Sequence, residues 1–151
     1  MLRERLREEL KLATLARDQH KLSTLRLILA ALKDRDIAAR AKGDRDGISD
    51  DEVLGMLQSM IKQRRESIAL YEKGGRMELA QQEAEEIAVI DEFLPEQMGA
   101  DEMGAAIEGV IAELEAKSLK DMGRVMAALK ENYAGKMDFS SASAGVKERL
   151  S

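Results

Sequence analysis

The sequence predicts an all-α protein: an N-terminal bundle of about four helices followed by a small three-helix C-terminal domain. Three observations predict it. Ala and Leu number 21 and 19, whereas Val, Ile and Thr together give 16, a bias towards helix over strand. Apolar residues recur at helical spacing in each long segment. Proline occurs once, at Pro95, so most segments run uninterrupted until a glycine. Leu, Ile, Val and Phe total 35 of 151 residues, enough to bury a core.

The first helix spans about Met1 to Ala16, with Leu2, Leu6, Leu10 and Ala13 on one face and Arg3, Arg7 and Lys11 as a separate basic stripe. Asp18 offers the cap for a second helix, about Gln19 to Ala41. Its Leu22, Leu25, Leu29 and Leu32, broadened by Leu27, Ile28 and Ala31, predict burial on two sides. Arg26, Lys33 and Arg40 recur every seven residues along the border of that face.

Gly43 to Gly47 breaks the chain. Ser49 and Glu52 then form a capping box, with Ile48 and Val53 placed as a hydrophobic staple. The third helix runs from Asp50 to about Lys73, where Gly74-Gly75 stops it. Arg64 and Arg65 fall within its apolar sector. Glu83 and Glu86 fall within that of the fourth helix, about Arg76 to Phe93. This predicts that Arg64 or Arg65 meets Glu83 or Glu86 across the interface, a pair that fixes register more than it stabilises.

Leu94-Pro95 marks the boundary, giving domains 1–95 and 96–151. The fifth helix covers about Asp101 to Ala116. Ser118 and Asp121 suggest a cap for the sixth, about Leu119 to Asn132, and the last runs roughly from Ser141 to Leu150. Gly123 inside the sixth helix costs about 1 kcal/mol against Ala, which points to a close helix contact or backbone approach.

The composition excludes several chemistries. Without cysteine there is no disulfide, thiol nucleophile or thiolate metal site. The single histidine, His20, has no partner constellation and reads as a surface or capping residue. The carboxylates Glu83, Glu85, Glu86, Asp91 and Glu92 lack the Glu-x-x-His motifs of a di-metal bundle. Phosphate-loop signatures are absent, so no catalytic residues, cofactor or metal are assigned. The charged N-terminus, without the apolar run of a secretory signal, leads to a cytoplasmic expectation with no membrane association. The net charge of −5 conceals a gradient: +5 over residues 1–45, −8 over 46–100 and −2 over 101–151. The acidic total argues against strong non-specific nucleic-acid binding, yet the basic first helix pair can form a local patch.

Three stretches resemble the GatB/YqeY family: KLSTLRLILAALK (21–33), IKQRRESIALYEKGGRMELAQQEAEEIAVIDEFLPEQM (61–98) and DMGRVMAALKENYAGKMD (121–138). The signals are Lys62, Arg64, Glu66 and Ser67, then Glu83 to Glu86, FLPEQ and DMGRVM, in family order. The resemblance implies kinship with the C-terminal tail of the B subunit of the aspartyl/glutamyl-tRNA amidotransferase, which contacts tRNA while catalysis lies elsewhere. It also implies a family label of carbon–nitrogen ligase with glutamine as amido-N-donor, although no nucleotide-binding, glutaminase or amidase signature is present here. The expected partner is tRNA or a component of a tRNA-dependent amidotransferase or synthetase, and the alternative is a protein–protein adaptor unrelated to RNA. Candidate RNA contacts are Lys62, Lys73, Arg76, Lys120, Arg124, Lys130 and Lys136. The pattern departs at Phe139, where the family commonly has glycine, and at Gly99, where a Ser cap is common.

Overall fold

A computed structural model describes residues Met1–Ser151. It contains α-helices and one short 3-10 turn, and no strand. The chain divides into two compact units, Met1–Leu94 and Pro95–Ser151.

The first unit comprises α1 (Leu2–Ala16), α2 (Gln19–Ala41), α3 (Asp50–Lys73) and α4 (Met77–Asp91). α1 and α2 form a helical hairpin. Arg17 closes it in the left-handed region at φ 57°, and Asp18 N–H donates to Ala13 O at 3.1 Å. Asp18 then caps α2 by accepting from Lys21 N–H at 3.2 Å. α3 starts on the Ser49–Glu52 capping box, with both reciprocal hydrogen bonds made and Ile48 and Val53 buried beneath it. α3 and α4 pack along their lengths, and α2 packs against both α1 and α4. The core gathers Leu6, Leu25, Ile28, Val53, Met56, Leu57, Ile90 and Phe93, all at most 2% exposed.

α2 is less enclosed than its leucine density predicts. Leu22, Leu25, Ile28 and Leu32 are buried, but Leu27 is 47% exposed and Ile37 53%. α4 ends at Asp91 rather than Phe93. Glu92, Phe93 and Leu94 instead donate to the carbonyls three residues back, a tightened turn that precedes Pro95.

The second unit packs α5 (Ala100–Leu114), α6 (Met122–Asn132) and α7 (Phe139–Leu150) around Ile107, Val110, Val125, Leu129, Met137, Ala142 and Val146. Three boundaries differ from expectation, each for a local reason. α5 stops early because Glu115 turns left-handed at φ 52°. Leu119–Asp121 is a 3-10 turn: Asp121 Oδ2 accepts from Lys117 N–H at 2.9 Å, while Ser118 makes no cap. α7 starts two residues early because Asp138 caps it, accepting from Ser140 N–H at 3.0 Å and from the Ser141 hydroxyl at 3.1 Å.

Candidate nucleic-acid interface

Two charged clusters bind the first unit together, and they define which cations remain available to a ligand. The first was not foreseen in the sequence. Arg3 reaches across from α1 to α2, with Nε donating to Asp36 Oδ2 at 3.1 Å and Nη2 to Oδ1 at 2.5 Å. The same Nη2 donates to Ile48 O at 2.6 Å, and Asp36 Oδ1 accepts from Ile48 N–H at 2.9 Å. The clasp ties α1, α2 and the turn before α3 into one piece. Arg3, first among several influences, holds the Asp36 carboxyl below its ordinary range. Asp36 lies on the buried side of an apolar helix, and a lone acid at such a position carries no sequence signature of its partner.

The second cluster joins α3 to α4. Arg64 Nε donates to Glu86 Oε2 at 2.8 Å and lies 3.9 Å from Glu83 Oε2. Arg64 also donates to Met60 O at 3.2 Å. Arg65, one residue on, is exposed and takes no part in the cluster. Burial first, and then the Glu86 charge, push the Glu83 carboxyl above its ordinary range, with Arg64 opposing them.

The seven candidate RNA contacts are all exposed. In the first unit they do not form one cluster. Lys62 lies midway along α3, whereas Lys73 and Arg76 flank the Gly74-Gly75 turn. In the second unit, Lys120, Arg124 and Lys130 share the exposed side of the 3-10 turn and α6. Arg124 Nη2 donates to Asp121 Oδ1 at 2.8 Å, which orients the guanidinium along the helix. Gly123 and Ala127 are exposed among these cations, and nothing lies within 4 Å of where a Gly123 side chain would begin. Gly123 therefore makes no close helix contact within the chain, contrary to the sequence expectation. Its bare backbone faces outward. Lys136 lies in the turn before α7, where its carbonyl accepts from Met98 N–H at 2.7 Å. Phe139, in place of a glycine, packs partly buried against the second core. Gly99 begins α5 without a side-chain cap. His20 is an exposed residue with Nδ1 3.7 Å from Glu85 Oε2.

Relatives of this chain carry the name Altered inheritance of mitochondria protein 41, mitochondrial. The protein from Eremothecium gossypii is 33% identical over 113 residues, covering 73% of this chain and 59% of the relative. That from Vanderwaltozyma polyspora is 36% identical over 90 residues, covering 59% and 46%. That from Lachancea thermotolerans is 30% identical over 112 residues, covering 73% and 58%. The chain thus spans about half the length of the curated relatives it matches. Their names overturn the cytoplasmic expectation. That expectation rested on the absence of an apolar leader, a criterion that detects secretory signals. Mitochondrial targeting segments are amphipathic and Arg-rich, and the criterion does not see them. The family model of Yqey-like proteins matches residues 3–150, essentially the whole chain, and the chain belongs to that family.

Proposed function

We propose that this chain is an accessory module that binds tRNA, or a partner engaged in tRNA processing, without catalysis of its own. The observation that carries the reading is the exposed face of α6: Lys120, Arg124 and Lys130 surround the open backbone at Gly123 and the small Ala127. Long cations around a low centre let a sugar–phosphate backbone approach the helix closely while each charge reaches a phosphate. The resemblance of its motifs to those of an amidotransferase tail that contacts tRNA supports the same ligand. With two Phe, two Tyr and no Trp, the chain has few rings for base stacking, so contacts to the backbone dominate.

Filter binding of the purified chain to unfractionated tRNA across a salt series tests the proposal. Affinity is expected to fall steeply between 50 and 200 mM salt, by about tenfold or more. Absence of binding at low salt overturns the tRNA-binding part. Glutaminase or amide-transfer activity from the purified chain overturns the non-catalytic part.

One observation favours the adaptor reading instead. Leu70, 69% exposed, and Met77, 58% exposed, flank the α3–α4 turn beside Lys73 and Arg76. A stoichiometric partner retained after RNase treatment, and lost on Leu70→Ser with Met77→Ser, would assign that turn to a protein.

A further inference from the structure

We propose that the outer seam between α1 and α2 is a second RNA-backbone surface, formed by Arg7, Lys11, Arg26, Lys33 and Arg40. The inference rests on the RNA-binding reading above and adds to it a surface in the first unit, on residues outside the seven candidates.

The geometry follows from the Arg3–Asp36 clasp. Arg3 crosses the seam to Asp36, so that edge of α1 borders α2. One and two turns along the same edge stand Arg7 and Lys11. On α2, Lys33 and Arg40 lie on either side of Asp36 in sequence. With Arg26 they fall within about 40° of one another around the helix axis at 100° per residue. All five are exposed, so they line the outer rim of the seam rather than the core. From Arg26 to Arg40 the row extends about 21 Å, long enough for several phosphates.

The rest of the unit shows why this row stands out. Four other cations of the unit are engaged within the fold, whereas Arg17, Arg35 and Arg65 close no ion pair either, so what sets the seam cations apart is their alignment along two adjoining helix edges. Arg3 pairs with Asp36, Lys21 with Glu9 at 3.1 Å and Glu92 at 3.2 Å, and Arg64 with Glu86. Arg5 sits 4.9 Å over the Phe93 ring and donates to Glu92 O. None of the five seam cations closes an ion pair; Arg40 alone makes a hydrogen bond, from Nε to Arg45 O at 3.2 Å. Arg7 and Lys11, one turn apart on α1, repel one another, and the α2 cations, two turns or about 10 Å apart, add a weaker mutual repulsion along the seam. A polyanion seated along it would relieve that repulsion.

The shape favours a nucleic-acid backbone over an anionic membrane. Exposed Glu4 and Glu8 on α1 and Asp34 on α2 stand on the outward sides of the helices. A flat anionic surface would meet these carboxylates first. A rod-like backbone lying in the seam meets the five cations.

The test compares the full chain with the variant Arg7→Gln, Lys11→Gln, Arg26→Gln, Lys33→Gln. Arg40 is kept because it holds the following turn. Binding to fluorescein-labelled unfractionated tRNA is followed by anisotropy from 50 to 200 mM salt. The variant is expected to lose at least about tenfold in affinity at low salt. Its slope of log affinity against log salt should be shallower by about 2 to 4, since each phosphate contact contributes about 0.7 to 0.9. Its urea midpoint should equal or exceed that of the parent, because repulsion has been removed; a merely structural role would lower it. If the parent binds tRNA and the variant matches it in affinity and slope, the seam inference fails while the RNA-binding reading stands. If the parent does not bind, the RNA-binding reading itself fails. Binding of the parent to phosphatidylserine vesicles but not to tRNA, lost in the variant, overturns the inference in favour of a membrane. Should the fourfold variant be poorly folded, Arg26→Gln with Lys33→Gln alone is expected to reduce the slope by about half as much.

Discussion

Gly47 and Asp36 are fitted to one another: a side chain at Gly47 would begin inside the Asp36 carboxylate. Gly47 also has φ +82°, a conformation that side chains resist. The glycine therefore does two things. It turns the chain before α3, and it lets the backbone approach the carboxylate that Arg3 and the Ile48 amide hold. Gly47→Ala is expected to cost about 2–4 kcal/mol in urea unfolding, combining backbone strain with displacement of a buried pair. Gly43, at φ +105° with open space around it, supplies the control. Gly43→Ala should cost only the conformational part, about 1–2 kcal/mol. Equal losses at the two glycines would show that the Asp36 contact contributes nothing.

The same carboxylate sets an acid limit to stability. Its proton affinity is lowered in the folded chain by Arg3, opposed by burial and reinforced by the Ile48 amide. A lowered carboxylate stabilises the fold at pH above its unfolded value, and that stabilisation is lost as pH falls through the folded value. Asp36→Asn should therefore lower stability at neutral pH and flatten its dependence between about pH 5 and 2. Urea midpoints for both proteins across that range check this. Parallel curves would disprove it.

Glu83 and Glu86 share Arg64 unequally, and their substitutions should diverge. Glu86 makes the hydrogen-bonded pair; Glu83 lies at 3.9 Å, half-buried beside a like charge. A raised carboxylate contributes stability below its unfolded value and loses it as pH rises through the folded value. At neutral pH, ionised Glu83 opposes folding. Glu83→Gln is expected to be neutral or mildly stabilising, and Glu86→Gln to cost about 1–3 kcal/mol. The expectation fails if Glu83→Gln is the more damaging of the two.

The legible parts of this fold are those written in local chemistry. Ser49-x-x-Glu52 announced the start of α3, because both halves of the box lie within one turn. Leu spacing announced the helices, and the Gly74-Gly75 step announced the α3–α4 hairpin. What was not legible depends on pairs distant in sequence. Asp36 reads as an ordinary charged residue until Arg3, 33 positions earlier, is brought against it. Leu27 reads as part of a broadened apolar face, yet it lies 47% exposed. The α2 cations were visible as a seven-residue rhythm and Arg7 and Lys11 as a stripe on the first helix, but the Arg3–Asp36 contact that brings the two helix edges together was not. The α6 face was partly hidden for another reason: Gly123 has the signature of a close internal contact, and within the chain nothing approaches it.

Glu115 offers a test at the end of α5 that leaves the charged clusters untouched. It stands in the left-handed region at φ 52°, where its N–H closes the helix onto Ala112 O at 3.2 Å and Ala116 N–H reaches Ile111 O at 3.0 Å. A side chain in that conformation costs about 1–2 kcal/mol, a cost that glycine escapes. Glycine in turn gains freedom in the unfolded chain, which offsets about 0.4–1 kcal/mol of the benefit. Glu115 is exposed and makes no ion pair that the substitution would break. Glu115→Gly should therefore stabilise the chain by about 0.5–1 kcal/mol in urea unfolding, and Glu115→Val, β-branched and unsuited to positive φ, should destabilise it. The order Gly above Glu above Val is the expected result; Glu115→Gly below the parent would mean that the turn is held by something other than its backbone conformation.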